Sequence, residues 1–223
     1  MLSFSVSYLY SDKIWISQYF DTVKMVIYES RMNERNYHHG DLRTALVQAG
    51  RTILERDGLS ALTLRACARE AGVSHAAPQH HFRNLAELLS AIAASGFEDF
   101  VAFLDKEASG KPTPRQRLLA MGNAYVHFSA LHPALYRLMF GVETAQVKSE
   151  GLLQAMSKAW AQLHGCVVDA AGETDSAGKA ALVWSVVHGH AMLQAAQYAP
   201  PVVKLEAQLD HSLDMMAIGI GAA

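Results

Sequence analysis

Cysteine is scarce in this 223-residue chain. The two present, Cys67 and Cys166, stand far apart and outside any C-x-x-C spacing. A disulfide framework is therefore not expected, and a reducing cytoplasm is the natural setting. Long apolar runs are missing too. None reaches the ~18 residues that a membrane-spanning helix needs, so no membrane partner is expected. The chain also lacks a glycine-rich phosphate loop, an H-E-x-x-H pair and a G-x-S-x-G elbow, which leaves catalysis without a familiar motif. Ser129 lies near His127 and His132. Helical spacing alone does not make a nucleophile–base pair. Sustained period-two alternation is absent beyond the first thirty residues, and there are no internal repeats.

What is present is apolar and helical. Hydrophobic residues make up 51% of the chain, enough for a sizeable core and too many for disorder. The length suits one large domain or two modest ones. Charge is unevenly placed. Arg31 to Arg83 carries eight Lys/Arg against five Asp/Glu, whereas residues 84–223 carry nine against thirteen. A mildly basic front before an acidic body fits a segment that faces nucleic acid. The first residues, "MLSFSVSYLYSDKIWISQYF", lack a basic start and an A-x-A exit, and Asp12 and Lys13 interrupt them, so a signal peptide is not expected. Residues 1–31 are expected to be an extension, with Met32 or Met25 as the biological start.

From Asp41 onward the pattern is helical. Leu42, Ala45, Leu46, Ala49 and Ile53 mark one face of a helix that ends at "RDGLS", where Gly58 can take a left-handed cap. Thr63 is expected to cap a second, short helix closed by Gly72. Ser74 is expected to cap a third, "HAAPQHHF". Asn84, with Glu87 three residues on, opens a long helix toward Lys106. After the "SGKPTP" loop, further helices are expected near 115–131, 133–140, 146–171, 176–199 and 202–220. The fold class is all-α. A helix-turn-helix domain over 32–84 precedes a larger helical domain over 85–223.

The stretch "TLRACAREAGVSHAAPQHHF" has the grammar of a helix-turn-helix. Ala66, Ala68 and Ala71 allow close approach, Gly72 turns the chain, and Val73 plugs the corner. The run from Gly40 to Ile92 resembles the N-terminal domain of TetR-family transcriptional regulators. "YHHGDLR" and "WSVVHGHAML" resemble the subgroup with a Trp…His-Gly signature, here Trp184, His188 and Gly189. The resemblance implies an all-helical homodimer that binds a palindromic double-stranded DNA operator. It also implies release of that operator when a small-molecule effector binds the C-terminal domain, and no cofactor.

Position by position, the resemblance assigns DNA contacts to Thr63, Arg65, Ser74, His75, Ala76, Gln79, His80 and His81, with Phe82 in the core. A helix N-terminus suits phosphate, small alanines suit close approach to bases, and glutamine can pair with adenine. Two positions depart from the family. Gln79 stands where a phosphate-binding tyrosine is usual, and Leu85 where a lysine is usual. Pro78 forfeits the first internal bond of a helix capped by Ser74. His38, His39, His75, His80 and His81 invite a metal reading. His75 and His80 are five apart, a poor same-face spacing, and no ligand set is complete, so no metal is expected.

In the body, Trp184 and His188 share a helical face. They are expected to wall an effector pocket with Phe103, Tyr125, Phe128, Phe140 and Trp160. The alternative for His188 is core packing with its ring satisfied by a carbonyl, and for Gly189 a close helix approach. "AALVWSVVHGHAMLQAA" is apolar nearly all round, and Leu205, Leu209, Leu213, Met216 and Ile220 make a stripe along the final helix. Val183, Val187, Leu205, Leu209, Leu213 and Met216 are expected to pack against a symmetry mate.

Overall fold

Helix α1 covers Leu42–Asp57 and buries Leu46, Ala49, Ile53 and Leu54 on one face. The computed structural model describes residues 42–141, 144, 149–196 and 205–222. The expected start at Met32 or Met25, with His38 and His39, lies outside the described residues. Gly58 ends α1 with φ +82° but an extended ψ, rather than a left-handed cap. A short 3-10 turn, Leu59–Ala61, leads on to α2 (Leu64–Glu70). Thr63 caps α2 by accepting the Ala66 N–H at 3.0 Å. The helix closes in a Schellman arrangement. Gly72 N–H donates to the Arg69 carbonyl, and Val73 N–H donates to the Ala68 carbonyl. Gly72 has φ +68°, a conformation that side-chain-bearing residues rarely adopt.

The third element departs from expectation. "HAAPQHHF" is not an α-helix capped by Ser74 but a single 3-10 turn, Ala77–His80, with no side-chain cap. Pro78 is the physical reason. An α-helix starting at Ser74 needs the N–H of residue 78 to bond the Ser74 carbonyl, and proline has none. Ala77 N–H takes that carbonyl instead, three residues away, at 3.0 Å. Gln79 and His81 continue the tighter pattern to Ala76 and Pro78.

Asn84 accepts the Glu87 N–H at 3.0 Å and opens α3 (Leu85–Ala108). At 1.5 Å per residue, this helix is about 36 Å long. Its first half packs on α1, and its second half runs into the body. A capping box of Thr113 and Gln116 starts α4 (Pro114–Leu131), and α5 (Pro133–Phe140) follows after His132. Then come α6 (Glu150–Ala171), α7 (Ser176–Ala195) and α8 (Leu205–Gly219). No strand occurs among the described residues.

One continuous core runs from Leu46 and Ile53 in α1, through α3, to Leu213 and Met216 in α8. α5 is wedged against α3 at Gly96. A Cβ there would stand 2.9 Å from the Met139 Sδ and 3.0 Å from a Leu135 methyl. Glycine at this position lets the two helices touch.

Candidate DNA-reading segment and effector cavity

Thr63, Arg65, Ser74, His75, Ala76, Gln79, His80 and His81 are all exposed, whereas Pro78 and Phe82 are buried. The turn therefore presents its polar residues outward on an apolar footing. The Arg43 guanidinium lies 5.1 Å from the centre of the Phe82 ring and covers it. Most nearby arginines are engaged. Arg51 pairs with Asp99, Arg56 with Asp57 and Glu70, and Arg83 with Glu87. Arg65 has no acidic partner among the described residues, so its charge stays available to an anion. Leu85 is half-buried and packs on the core. Among the described residues no cluster of His, Cys, Asp and Glu could hold a metal ion.

The body encloses a cavity of about 530 Å³. α3 supplies Phe97, Phe100 and Leu104. α4 supplies Leu118, Met121 and Tyr125, and α5 supplies Met139 and Phe140. α6 and α7 complete the wall with Leu152, Met156, Trp160, Val183, Trp184 and Val187. Trp160 and Trp184 are each 40% exposed and sit at the mouth. No charged side chain lines the cavity among the described residues. Thr144 is already spent, its hydroxyl donating to the Leu138 carbonyl at 2.8 Å.

Ser157 also lines the cavity, and behind the wall Tyr125 and Trp184 join a polar network with Tyr136 and His188. Trp184 Nε1–H donates to the Tyr125 hydroxyl at 3.2 Å. Tyr125 and Tyr136 place their hydroxyls 2.9 and 2.8 Å from the same atom, Nδ1 of His188. Burial pushes the Tyr125 phenol up to about 12 and moves Tyr136 upward as well. Burial lowers the His188 imidazole, which keeps it neutral at pH 7.

Of the expected pocket residues, Tyr125, Phe140, Trp160 and Trp184 line the cavity. Phe103 and Phe128 do not. Phe128 lies behind Phe100, with ring centres 5.2 Å apart, and Phe103 packs on Phe128 and His127. His188 acts from behind Tyr125, satisfied by phenols rather than by a carbonyl. Sequence reasoning passed over Leu152, Met156 and Leu163. With Ala159 and Trp160 they form the apolar face of α6, a helical periodicity that could have placed them.

The expected interface residues need correction. Val183 and Val187 are 2% exposed and face the cavity, and Leu213 and Met216 are buried within the chain. Leu209 is half-buried, and the Leu205 side chain lies outside the described residues. The exposed apolar residues of these helices are others: Leu182, Met192 and Leu193 on α7, and Met215 and Ile218 on α8. Ile218 is 68% exposed. Gly189 shares the Leu182–Leu193 face, and a Cβ there would meet nothing among the described residues. No close approach within the chain explains it. Both faces of α7 are apolar, so periodicity does not tell its inner face from its outer one, whereas on α8 the exposed Met215 and Ile218 stand among Asp210, His211 and Asp214.

An exposed turn set on a Schellman-closed helix, joined by one long helix to a hollow all-α body, fits a helix-turn-helix regulator. Residues 46–92 match the family described as bacterial regulatory proteins, tetR family, and residues 118–216 match the tetracyclin repressor-like C-terminal domain. The chain belongs to the TetR family of transcriptional regulators. It is 25% identical over 157 residues to the uncharacterized HTH-type transcriptional regulator Rv0681 of Mycobacterium tuberculosis, covering 68% of this chain and 69% of that one. A solved Rhodococcus protein of unknown function is 32% identical, with a TM-score of 0.73, and the match covers 84% of this chain and 100% of that one. The fatty acid degradation regulator FadR of Bacillus halodurans shares the fold, with a TM-score of 0.63 at 11% identity over 81% of this chain and 97% of that one.

Proposed function

We propose that the protein is a dimeric repressor that holds a palindromic operator and releases it when a small apolar ligand fills the body. The observation that carries this reading is the shared wall. α3 and α5 both line the cavity and both contact α1 of the DNA-reading segment. A ligand that favours one placement of these helices shifts the population between two settings of the reading turn. The DNA contacts fall to Thr63, Arg65, Ser74, His75, Ala76, Gln79, His80 and His81. The exposed stripe of α7 and α8 supports a two-fold pairing that would bring two reading turns to one operator.

The test is fluorescence anisotropy with DNA from beside the protein's own gene. Arg65→Ala is expected to weaken specific and random DNA about equally, and to lower the salt slope by about one. Gln79→Ala is expected to change sequence preference at a cost of about 1–3 kcal/mol. Equal losses from both substitutions refute that division. No specific binding by the unaltered protein at low salt favours a second reading, motivated by Gln79 and Leu85: a ligand sensor of the same fold with weakened DNA contact.

A further inference from the structure

We propose that His188 links the cavity to protons: a second proton on its ring releases the Tyr125 hydroxyl to donate to a ligand that carries an acceptor. This inference rests on the reading of the cavity as the effector site and concerns the regulation of that site.

The proton count carries it. With a neutral ring, the three donors that meet there all have acceptors. Tyr136 donates to the Tyr125 oxygen at 3.3 Å, and Trp184 donates to the same oxygen at 3.2 Å. Tyr125 then donates to Nδ1 of His188 at 2.9 Å. Nδ1 must accept for this to hold, so the ring carries its one proton on Nε2. A second proton, taken from solvent, goes to Nδ1 and turns that acceptor into a donor. Nδ1–H then donates to the Tyr136 oxygen, 2.8 Å away. Two hydroxyls cannot donate to each other at once, so one phenolic proton loses its partner. Tyr136 is fully buried, whereas Tyr125 lines the cavity. With Tyr136 still donating to Tyr125, the freed proton is that of Tyr125.

An unpartnered phenol in the empty cavity opposes protonation of His188, in the same direction as burial. The wall is mainly apolar, so a water that took this proton would find few further partners. A ketone or ester oxygen that takes it removes the penalty. Ligand and proton therefore favour each other's binding by the same factor. Tyr125, Tyr136, Phe140 and Trp184 meet the ring from α4, α5 and α7. Burial alone shifts it, so no charge on α6 or α8, the other helices packed on α7, acts on it among the described residues. Ser157 also offers a hydroxyl to the cavity, but it does not titrate and serves a ligand equally at every pH.

Titration calorimetry of the full chain without DNA tests this with valerophenone and pentylbenzene, which differ by one ketone oxygen. Their affinity ratio cancels general effects of pH on the fold and the steady contribution of Ser157. The ratio is expected to shift about threefold toward the ketone between about pH 7.5 and 5.5. Near pH 6, ketone binding is expected to take up protons and pentylbenzene binding none, read from buffers of different ionisation enthalpy. Tyr125→Phe and His188→Gln are each expected to bind both probes with a ratio that pH leaves flat. Proton uptake by the unaltered protein tests the linkage even where a variant does not fold. A flat ratio in the unaltered protein, a shift that persists in Tyr125→Phe, or no binding of either probe overturns the proposal. Proton-linked ketone binding that leaves DNA affinity unchanged would uphold the switch while refuting the repressor reading.

Discussion

The Glu55 carboxylate accepts a hydrogen bond from the backbone N–H of Leu135 at 3.1 Å, across 80 residues of sequence. Leu135 is the third residue of α5, so its N–H is one of those a helix leaves without an internal partner. Glu55 lies in the last turn of α1. A side chain of the DNA-reading segment thus caps the helix whose other end, Met139 and Phe140, forms cavity wall. In the proposed mechanism a ligand that moves α5 would act on α1 through this bond and on α3 through the contact at Gly96.

Replacing Glu55 by Ala should uncouple the two sites without removing either. Ligand affinity and DNA affinity measured separately are expected to change little. The ratio of DNA affinities without and with ligand is expected to fall by about fivefold or more, the lower end of ordinary coupling. Anisotropy titrations with and without ligand give that ratio directly. An unchanged ratio would place the coupling in α3 alone.

Pro78→Ala restores the N–H that an α-helical start at Ser74 needs. It also frees the unfolded chain and removes buried ring atoms. Urea melts are expected to show a loss of about 1 kcal/mol. Amide exchange is expected to show new protection at position 78. Stability equal to that of the unaltered protein would mean that the proline does not anchor the turn.

This turn marks the limit of what the sequence discloses. The caps at Thr63 and Asn84 and the breaks at Gly72 and "SGKPTP" are legible because each is a local chemical device. The 3-10 geometry is not legible in this way, because the bond missing at Pro78 does not merely weaken a helix start, it changes the helix type. The cavity was legible in Trp184, Tyr125 and Phe140 but not in membership, because ring type does not tell a lining residue from one behind it. Phe100 and Phe128 are chemically alike and one layer apart. The inner and outer faces of α7 are indistinguishable by period, because both are apolar.

Burial lowers the imidazoles of His188 and His132 in the folded chain. Below the ordinary histidine value of about 6.5, the unfolded state binds more protons than the folded one. Stability is therefore expected to be full above that value and to fall as pH drops below it. Thermal melts between neutral and mildly acid pH check this. His188→Gln should flatten the slope, and a slope of unchanged steepness would assign it to other groups.

Gly189 lies on the face of α7 that carries Leu182 and Leu193, with open space beside it. Gly189→Arg is expected to leave the monomer folded but weaken pairing about tenfold or more, because a buried interface charge without a partner is costly. Sedimentation velocity reads the shift. A dimer as strong as the unaltered one would move the interface elsewhere.

The most direct test of sequence-specific regulation is nuclease footprinting of the unaltered protein on DNA flanking its own gene. The expected result is a protected stretch with two-fold symmetry, its half-sites about one helical turn or a multiple apart, that survives excess random DNA. Uniform, salt-sensitive coating with no protected stretch, or no binding at low salt, would contradict it.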